Sequence, residues 1–323
     1  MRRLPAAIAD ESGTAGSRAL LQELLATGVV EPVALARNAE DLRQLLRRGR
    51  ISVGVHLPHD FERRRLEGRE AIQILVDGSD SVVYGAARQL SQLPLPAVGH
   101  SATTRESLAP EGPISVVGFY NPERRSAVNI VPGLIGVILT LTMVLFTAVA
   151  IVRERERGNM ELLITTPLSS AELMIGKVLP YNVLGLLQTS VKLLLGVLVF
   201  AVPIRGSVVD VYLAASLLIA ANLSLGLLIS THAKSQFQAM QMTFFVFLPS
   251  ILLSGFMFPF AGMPKLAQWI AEALPLTHFM RLIRGVMLRG ADLGDLMPSV
   301  LALSAFTAVM MSVAILRFRK RLD

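Results

Sequence analysis

From Val128 to Val152 the chain runs 25 residues without a charge, and it then meets Arg153-Glu154-Arg155-Glu156-Arg157. A bilayer core takes about 20 apolar residues to cross as a helix. In lipid a lone segment must satisfy its own backbone N–H and C=O groups, so such a stretch is held to be helical. Four more stretches qualify. Val178–Val202 carries one charge, Lys192; Val211–Ser230, Ala239–Phe260 and Met297–Leu316 carry none. Pro132, Pro180 and Pro249 fall within these stretches, which membrane helices tolerate. The pattern predicts a polytopic α-helical membrane protein with five spans, about 128–152, 178–202, 211–230, 239–260 and 297–316.

The apolar character is confined to the second part. Residues 1–125 hold 16 Arg, no Lys and 15 acids, whereas residues 126–323 hold 15 Lys and Arg against 9 acids. The formal charge of +7 is therefore +1 before residue 126 and +6 after it. A basic excess beside spans reflects topology and anionic lipid. No basic face interleaved with aromatic residues points to nucleic acid. There is no Cys, which excludes disulfides and thiolate metal sites.

Residues 1–125 alternate in period. Strands are expected at 5–9, 29–34, 51–57 and 72–76, and helices at 17–26, 40–48, 60–67 and 82–93. Residues 94–113 read as a loop and 114–125 as a lead into the membrane. This predicts a small α/β domain, 1–125, ahead of a transmembrane domain, 126–323.

Lys and Arg set orientation. Arg153, Arg155, Arg157, Lys177, Lys234, Arg317, Arg319, Lys320 and Arg321 fall at three junctions that share one side. Arg205, Lys265, Arg281, Arg284 and Arg289 fall at the others. The first side is expected to be cytoplasmic, which puts residues 1–125 outside. Met1-Arg2-Arg3-Leu4 is neither a signal peptide nor a span. One further span before Met1 is therefore expected, lost through a late start assignment or a truncation. The other reading keeps residues 1–125 cytosolic and makes one of the five spans false.

Motifs of catalysis are missing. There is no phosphate-cradling G-x-x-x-x-G-K-[ST], no H-E-x-x-H and no G-x-S-x-G. Nor do the spans offer the paired Asp, His or Ser residues of an intramembrane enzyme. The five His show no metal spacing; His56 and His59 flank Pro58 at a strand end. Asp10-Glu11-Ser12-Gly13 and Asp77-Gly78-Ser79-Asp80 read first as turns and helix caps, with a ligand or cation as the other reading.

Residues 153–177 carry more. Ser169-Ser170-Ala171-Glu172 has capping-box spacing after Pro167. A short helix, a polar turn at 165–169 and a second helix entering the next span are expected. Glu154, Glu156 and Glu161 among the arginines exceed what topology needs. A rigid lever at the membrane surface and a plain connecting loop are both open on the residues alone. Lys192 is the one charge deep in a span, with Gln188 one turn away on the same face. It faces a wet pathway, or it lies nearer the boundary, or it pairs at a dimer interface.

The run Arg153–Tyr181 resembles the cytoplasmic signature of type-2 ATP-binding-cassette exporter permeases. The resemblance continues through 200–207, 226–241 (GLLISTHAKSQFQAMQ), 247–259 (FLPSILLSGFMFP) and 275–290 (PLTHFMRLIRGVMLRG). Residues 1–125 are similar to the extracytoplasmic domain of one bacterial branch. The resemblance implies six spans, of which this chain lacks the first, and a shallow outer re-entrant hairpin within 261–296. It implies a coupling loop, 153–177, that docks on an ATPase subunit through Arg153, Glu154, Arg155, Glu156, Arg157, Gly158, Glu161 and Pro167. Gln188 and Lys192 are the candidate pathway residues.

The function so implied is a permease subunit, not itself an enzyme, that exports an amphipathic substrate, drug-like or lipid. ATP and Mg would bind in the partner ATPase, and no cofactor or metal in this chain. Further expected partners are a second or sister permease, membrane lipid and a periplasmic adaptor. The expected location is the bacterial inner membrane, with 1–125 periplasmic and the C-terminus cytoplasmic. The competing class is a membrane-anchored receptor or scaffold whose outer domain binds a ligand.

Overall fold

The computed structural model describes residues 4–67, 69–78, 83–85, 87, 114–123, 125–158, 170–258 and 260–317. The chain divides into two compact units, Met1–Arg125 and Ser126–Asp323.

The first unit is built on a five-stranded sheet of order β2-β1-β3-β4-β5. Its strands are β1 (Leu4–Asp10), β2 (Val30–Leu35), β3 (Val53–Leu57), β4 (Ile72–Asp77) and β5 (Ile114–Phe119). β1 lies parallel between β2 and β3, β4 runs antiparallel to β3, and β5 runs parallel to β4. The helices are α1 (Ala15–Ala26), α2 (Ala39–Arg47) and α3 (Phe61–Leu66). Alternation along the strands sorts side chains to two faces. Ala6, Ile8, Val53, Val55 and Leu57 join Leu24 of α1 and Phe61 of α3. Ala7, Ala9 and Leu75 join Leu42 and Leu46 of α2. Gly54 makes room on that second face, since a Cβ there would lie 3.4 Å from Leu42.

The acidic turn after β1 is held by the Asp10 side chain, while Thr14 caps α1 by accepting the Ser17 N–H at 3.1 Å. Asp10 Oδ1 accepts the N–H groups of Ser12 and Gly13, both at 3.1 Å, and Oδ2 accepts the Ser17 hydroxyl at 2.7 Å. Burial works against its charge. The hydrogen bonds from Ser17, Gly13 and Ser12 outweigh that and hold the carboxyl below its ordinary value. His56 Nε2 and His59 Nδ1 lie 3.2 and 3.8 Å from the Glu11 carboxylate. Among the described residues no three His, Asp or Glu side chains could jointly hold a metal ion.

One expectation fails here. Residues 114–119 are an edge strand, not a lead into the membrane. β5 is only half-buried and shows no clean alternation of apolar and polar residues, so its pairing with β4 is a tertiary fact. The helix expected over 82–93 and the loop over 94–113 lie outside the described residues, apart from 83–85 and 87.

The second unit is helical: α4 (Ser126–Glu156), α5 (Ser170–Leu198), α6 (Val208–His232), α7 (Gln236–Leu253), α8 (Lys265–Glu272), α9 (Pro275–Arg284) and α10 (Met297–Arg317). Five of these, α4, α5, α6, α7 and α10, are long and apolar enough to cross a membrane. α4 and α6 are the inner pair. Gly226 of α6 sits against α4, where a Cβ would lie 2.9 Å from the Val144 carbonyl oxygen. Small residues allow such close approach where lipid removes the hydrophobic drive between helices. Asn222 donates to the Thr140 hydroxyl across the same contact at 3.2 Å. α9 packs on α4, α6 and α10, and Phe279 fills the space that Gly136 leaves free.

Two span ends are shorter than expected. α5 stops at Leu198, not Val202, and Ala201 has φ +48°. α7 stops at Leu253, not Phe260, because Gly255 takes φ +84° and turns the chain. The region after it holds two short helices, interrupted at Glu272 and Pro275. Arg281 pairs with Glu272 and lies 4.6 Å from the Phe260 ring centre.

Candidate coupling site

The charge run does not begin a new element. α4 continues unbroken through Arg153, Glu154, Arg155 and Glu156, so the first four residues of the expected loop are the last turn of a span helix. Residues 170–177, its far end, are the first two turns of α5. Leu, Ala, Arg and Glu all favour helix, so nothing at Val152 ends it. The stop comes at Gly158, where φ is +73°, a conformation glycine adopts without a Cβ clash. Arg157 N and Gly158 N close the final turn on Arg153 O and Arg155 O, both at 3.1 Å. Glu161, Pro167 and the expected polar turn at 165–169 lie outside the described residues.

Three consecutive side chains of this turn reach three other helix ends. Glu154 pairs with Lys177 in the second turn of α5. Arg155 Nη1 donates to the carbonyl oxygen of Ala233, the residue that caps the C-terminus of α6, at 3.2 Å. Glu156 accepts the Gln236 backbone N–H at 2.9 Å and its side-chain amide as well. Gln236 is the first residue of α7. The charges suit their partners: a cation meets the exposed carbonyls of a helix C-terminus, and a carboxylate meets the exposed N–H groups of an N-terminus. Ser235 completes the α7 cap by accepting from Gln238 N at 3.2 Å.

The last helix joins the same cluster. Arg317 of α10 donates to His232 Nε2, and His232 Nδ1 lies 3.1 Å from Leu228 O in the final turn of α6. With Nε2 accepting, the imidazole carries its hydrogen on Nδ1. Arg153, Glu156, Arg157 and Gly158 are exposed, while Glu154 and Arg155 are half-buried. The turn thus presents Arg153, Arg157 and Gly158 outward, while Glu154, Arg155 and the exposed Glu156 grip its neighbours.

Lys177, Ala233, Gln236, His232 and Arg317 were not singled out as site residues from the sequence. Gln236 had a usable signal, since Ser235-Gln236-Phe237-Gln238 is an N-cap followed by a helix start. The Ala233 carbonyl had none, because a backbone acceptor leaves no residue type to read.

Gln188 and Lys192 do come together. Lys192 Nζ donates to Gln188 Oε1 at 3.2 Å, and the Thr142 hydroxyl of α4 lies 3.1 Å from that oxygen.

Five long apolar helices whose charged ends are interlocked at one end describe a membrane permease, and the chain belongs to the ABC-2 transporter family. The family's sequence profile, described as ABC-2 family transporter protein, matches residues 1–316. The chain is 30% identical to the probable multidrug ABC transporter permease YbhS of Escherichia coli K12, over 90% of this chain and 78% of that protein. It is 27% identical to the probable multidrug ABC transporter permease YbhR of the same organism, over 98% of this chain and 86% of that one. It is 29% identical to the inner membrane transport permease YhhJ, also of E. coli K12, over 98% and 85%. Permeases of this family are not enzymes; the ATPase is a separate subunit.

Proposed function

We propose that this permease couples ATP hydrolysis by its ATPase subunit to export of an amphipathic substrate, drug-like or lipid, from a bacterial inner membrane. The relatives whose names call them probable multidrug permeases support the substrate class. ATP and Mg would be held by the partner subunit. The permease would work with a second copy or a sister permease, in contact with lipid. A periplasmic adaptor is a further partner in this reading. Residues 1–125 would be periplasmic, the interlocked helix ends and the C-terminus cytoplasmic, and the α8–α9 pair a shallow re-entrant element.

One observation carries the reading. The Arg–Glu turn at 153–158 is continuous with α4 and bonded to α5, α6 and α7, so a push on its exposed side moves four helix ends together. A plain connecting loop would not need those bonds. In this reading Glu161 and Pro167, outside the described residues, also serve coupling, and Gln188 and Lys192 belong to the pathway.

The test is ATPase activity of the assembled transporter. Charge reversal at Glu154 and Glu156 together should abolish most of the substrate-stimulated rate while leaving the ATPase subunit's basal rate. Undiminished stimulation in an assembled variant would remove the coupling role.

A further inference from the structure

Lys192 is the one charged residue in the apolar part of α5 that follows Lys177, the residue paired with Glu154. An intramembrane ammonium is costly and as a rule has a partner. It has three N–H donors. One goes to Gln188 Oε1 at 3.2 Å, and no carboxylate of the described residues answers the others. On the α4 side the Thr142 hydroxyl, with one hydrogen, lies 2.7 Å from Ile138 O and 3.1 Å from the Gln188 oxygen.

The side chain is not escaping to water. Lys192 lies six residues before the end of α5 at Leu198, about 9 Å along the axis. A snorkelling lysine would reach toward that nearer end. Lys192 instead bonds back one turn, to Gln188, toward the middle of the helix. Around it the surface is apolar and open: Ile138 of α4 is 39% exposed, and Leu187, Val191 and Leu195 of α5 are 50–60% exposed. A fixed positive charge bordered by open apolar surface fits a molecule with one negative headgroup and an apolar tail.

We propose that Lys192, bonded to Gln188, binds the anionic headgroup of a single-tailed or lipid amphiphile between α4 and α5. This rests on the reading of Gln188 and Lys192 as pathway residues and narrows the substrate or lipid class to anions.

The test is equilibrium binding, without nucleotide, to the full chain assembled with its ATPase in phosphatidylcholine nanodiscs. The probes are labelled dodecyl phosphate and dodecyltrimethylammonium. Lys192→Gln should weaken dodecyl phosphate about tenfold, the scale of one charge-assisted contact, whereas Lys192→Arg should hold the affinity. The cationic probe should not weaken with either variant. Unchanged dodecyl phosphate binding in Lys192→Gln overturns the proposal, as does an equal loss of both probes. Replacing part of the phosphatidylcholine with phosphatidylglycerol separates the sources. Competition assigns the site to a lipid headgroup, and its absence assigns it to a transported amphiphile; either supports the anion site. Binding is read without ATP turnover, so failure here leaves coupling at 153–158 intact, and failure of coupling leaves this result standing.

Discussion

Glu156, the last residue of α4, accepts the backbone N–H of Gln236, the first residue of α7, at 2.9 Å. One side chain thus ends one helix and begins another 80 residues away. Its neighbour Arg155 does the converse for the C-terminus of α6. The turn between α6 and α7 is therefore gripped from both ends by consecutive residues.

Removing that grip should loosen the turn before anything else. Glu156→Ala should speed amide hydrogen exchange at 235–239 severalfold and leave exchange in the middle of α6 unchanged, as read by mass spectrometry of the purified permease. The first N–H groups of α7 would then rely on Ser235 and water. Uniform protection at 235–239 in both proteins would contradict the capping role.

The Glu154–Lys177 pair joins α4 to α5 with both groups partly solvated, 37% and 19% exposed. Such pairs contribute about 0.2–1 kcal/mol, so neither single neutralisation should lower the melting temperature by more than a few degrees. Coupling should respond far more. Glu154→Lys is expected to reduce substrate-stimulated ATPase severalfold, and the exchange Glu154→Lys with Lys177→Glu to recover most of it. An exchange variant as poor as the single one would mean the pair is not the connection.

Gly226 tests the inner helix pair. A Cβ there would fall 2.9 Å from a backbone oxygen, which has no rotamer with which to yield. Gly226→Leu should force α4 and α6 apart and cost at least about 1–3 kcal/mol, the range for overpacking. The check is a thermal shift in detergent. Gly176→Leu is the control, because no atom of the described residues lies within 4 Å of its Cβ position.

The Asp10 turn predicts an acid response. Its carboxyl lies below the ordinary value in the folded state, so the contribution of its hydrogen bonds is present above the unfolded value, about 4, and is lost as pH falls through the folded value. Exchange at Ser12 and Gly13 should therefore rise below about pH 4 beyond the intrinsic pH trend. Asp10→Asn should already show the faster exchange at neutral pH and lack that acid step. An acid step of equal size in both proteins would assign it to another group.

The membrane helices were legible because lipid leaves few choices: an uncharged run longer than the bilayer is thick must be a helix. The strands β1, β3 and β4 were legible for a related reason, since burial on both faces favours apolar runs such as Pro5–Ala9, whereas β2 is an exposed edge strand. β5 was not, because it shows no clean alternation and its partner is distant in the chain, with Ile72 opposite Ile114. The end of α7 was misjudged because Phe256–Phe260 is as apolar as the helix before it. Hydropathy measures transfer to lipid and says nothing of the turn at Gly255.

Sequence alone determined what each segment could be: an apolar helix, a charged turn, a lone lysine in a span. It marked 153–158 as unusual because acids alternate with arginines there. Only the tertiary structure decided which groups those charges meet. Lys177, Ala233 and Gln236 come from three other helices, and one of the three contributes only a backbone oxygen. A hydrogen bond between distant helix ends depends on where the helices stop and how they cross. Those are properties of packing, and they leave no pattern in the residues that make the bond.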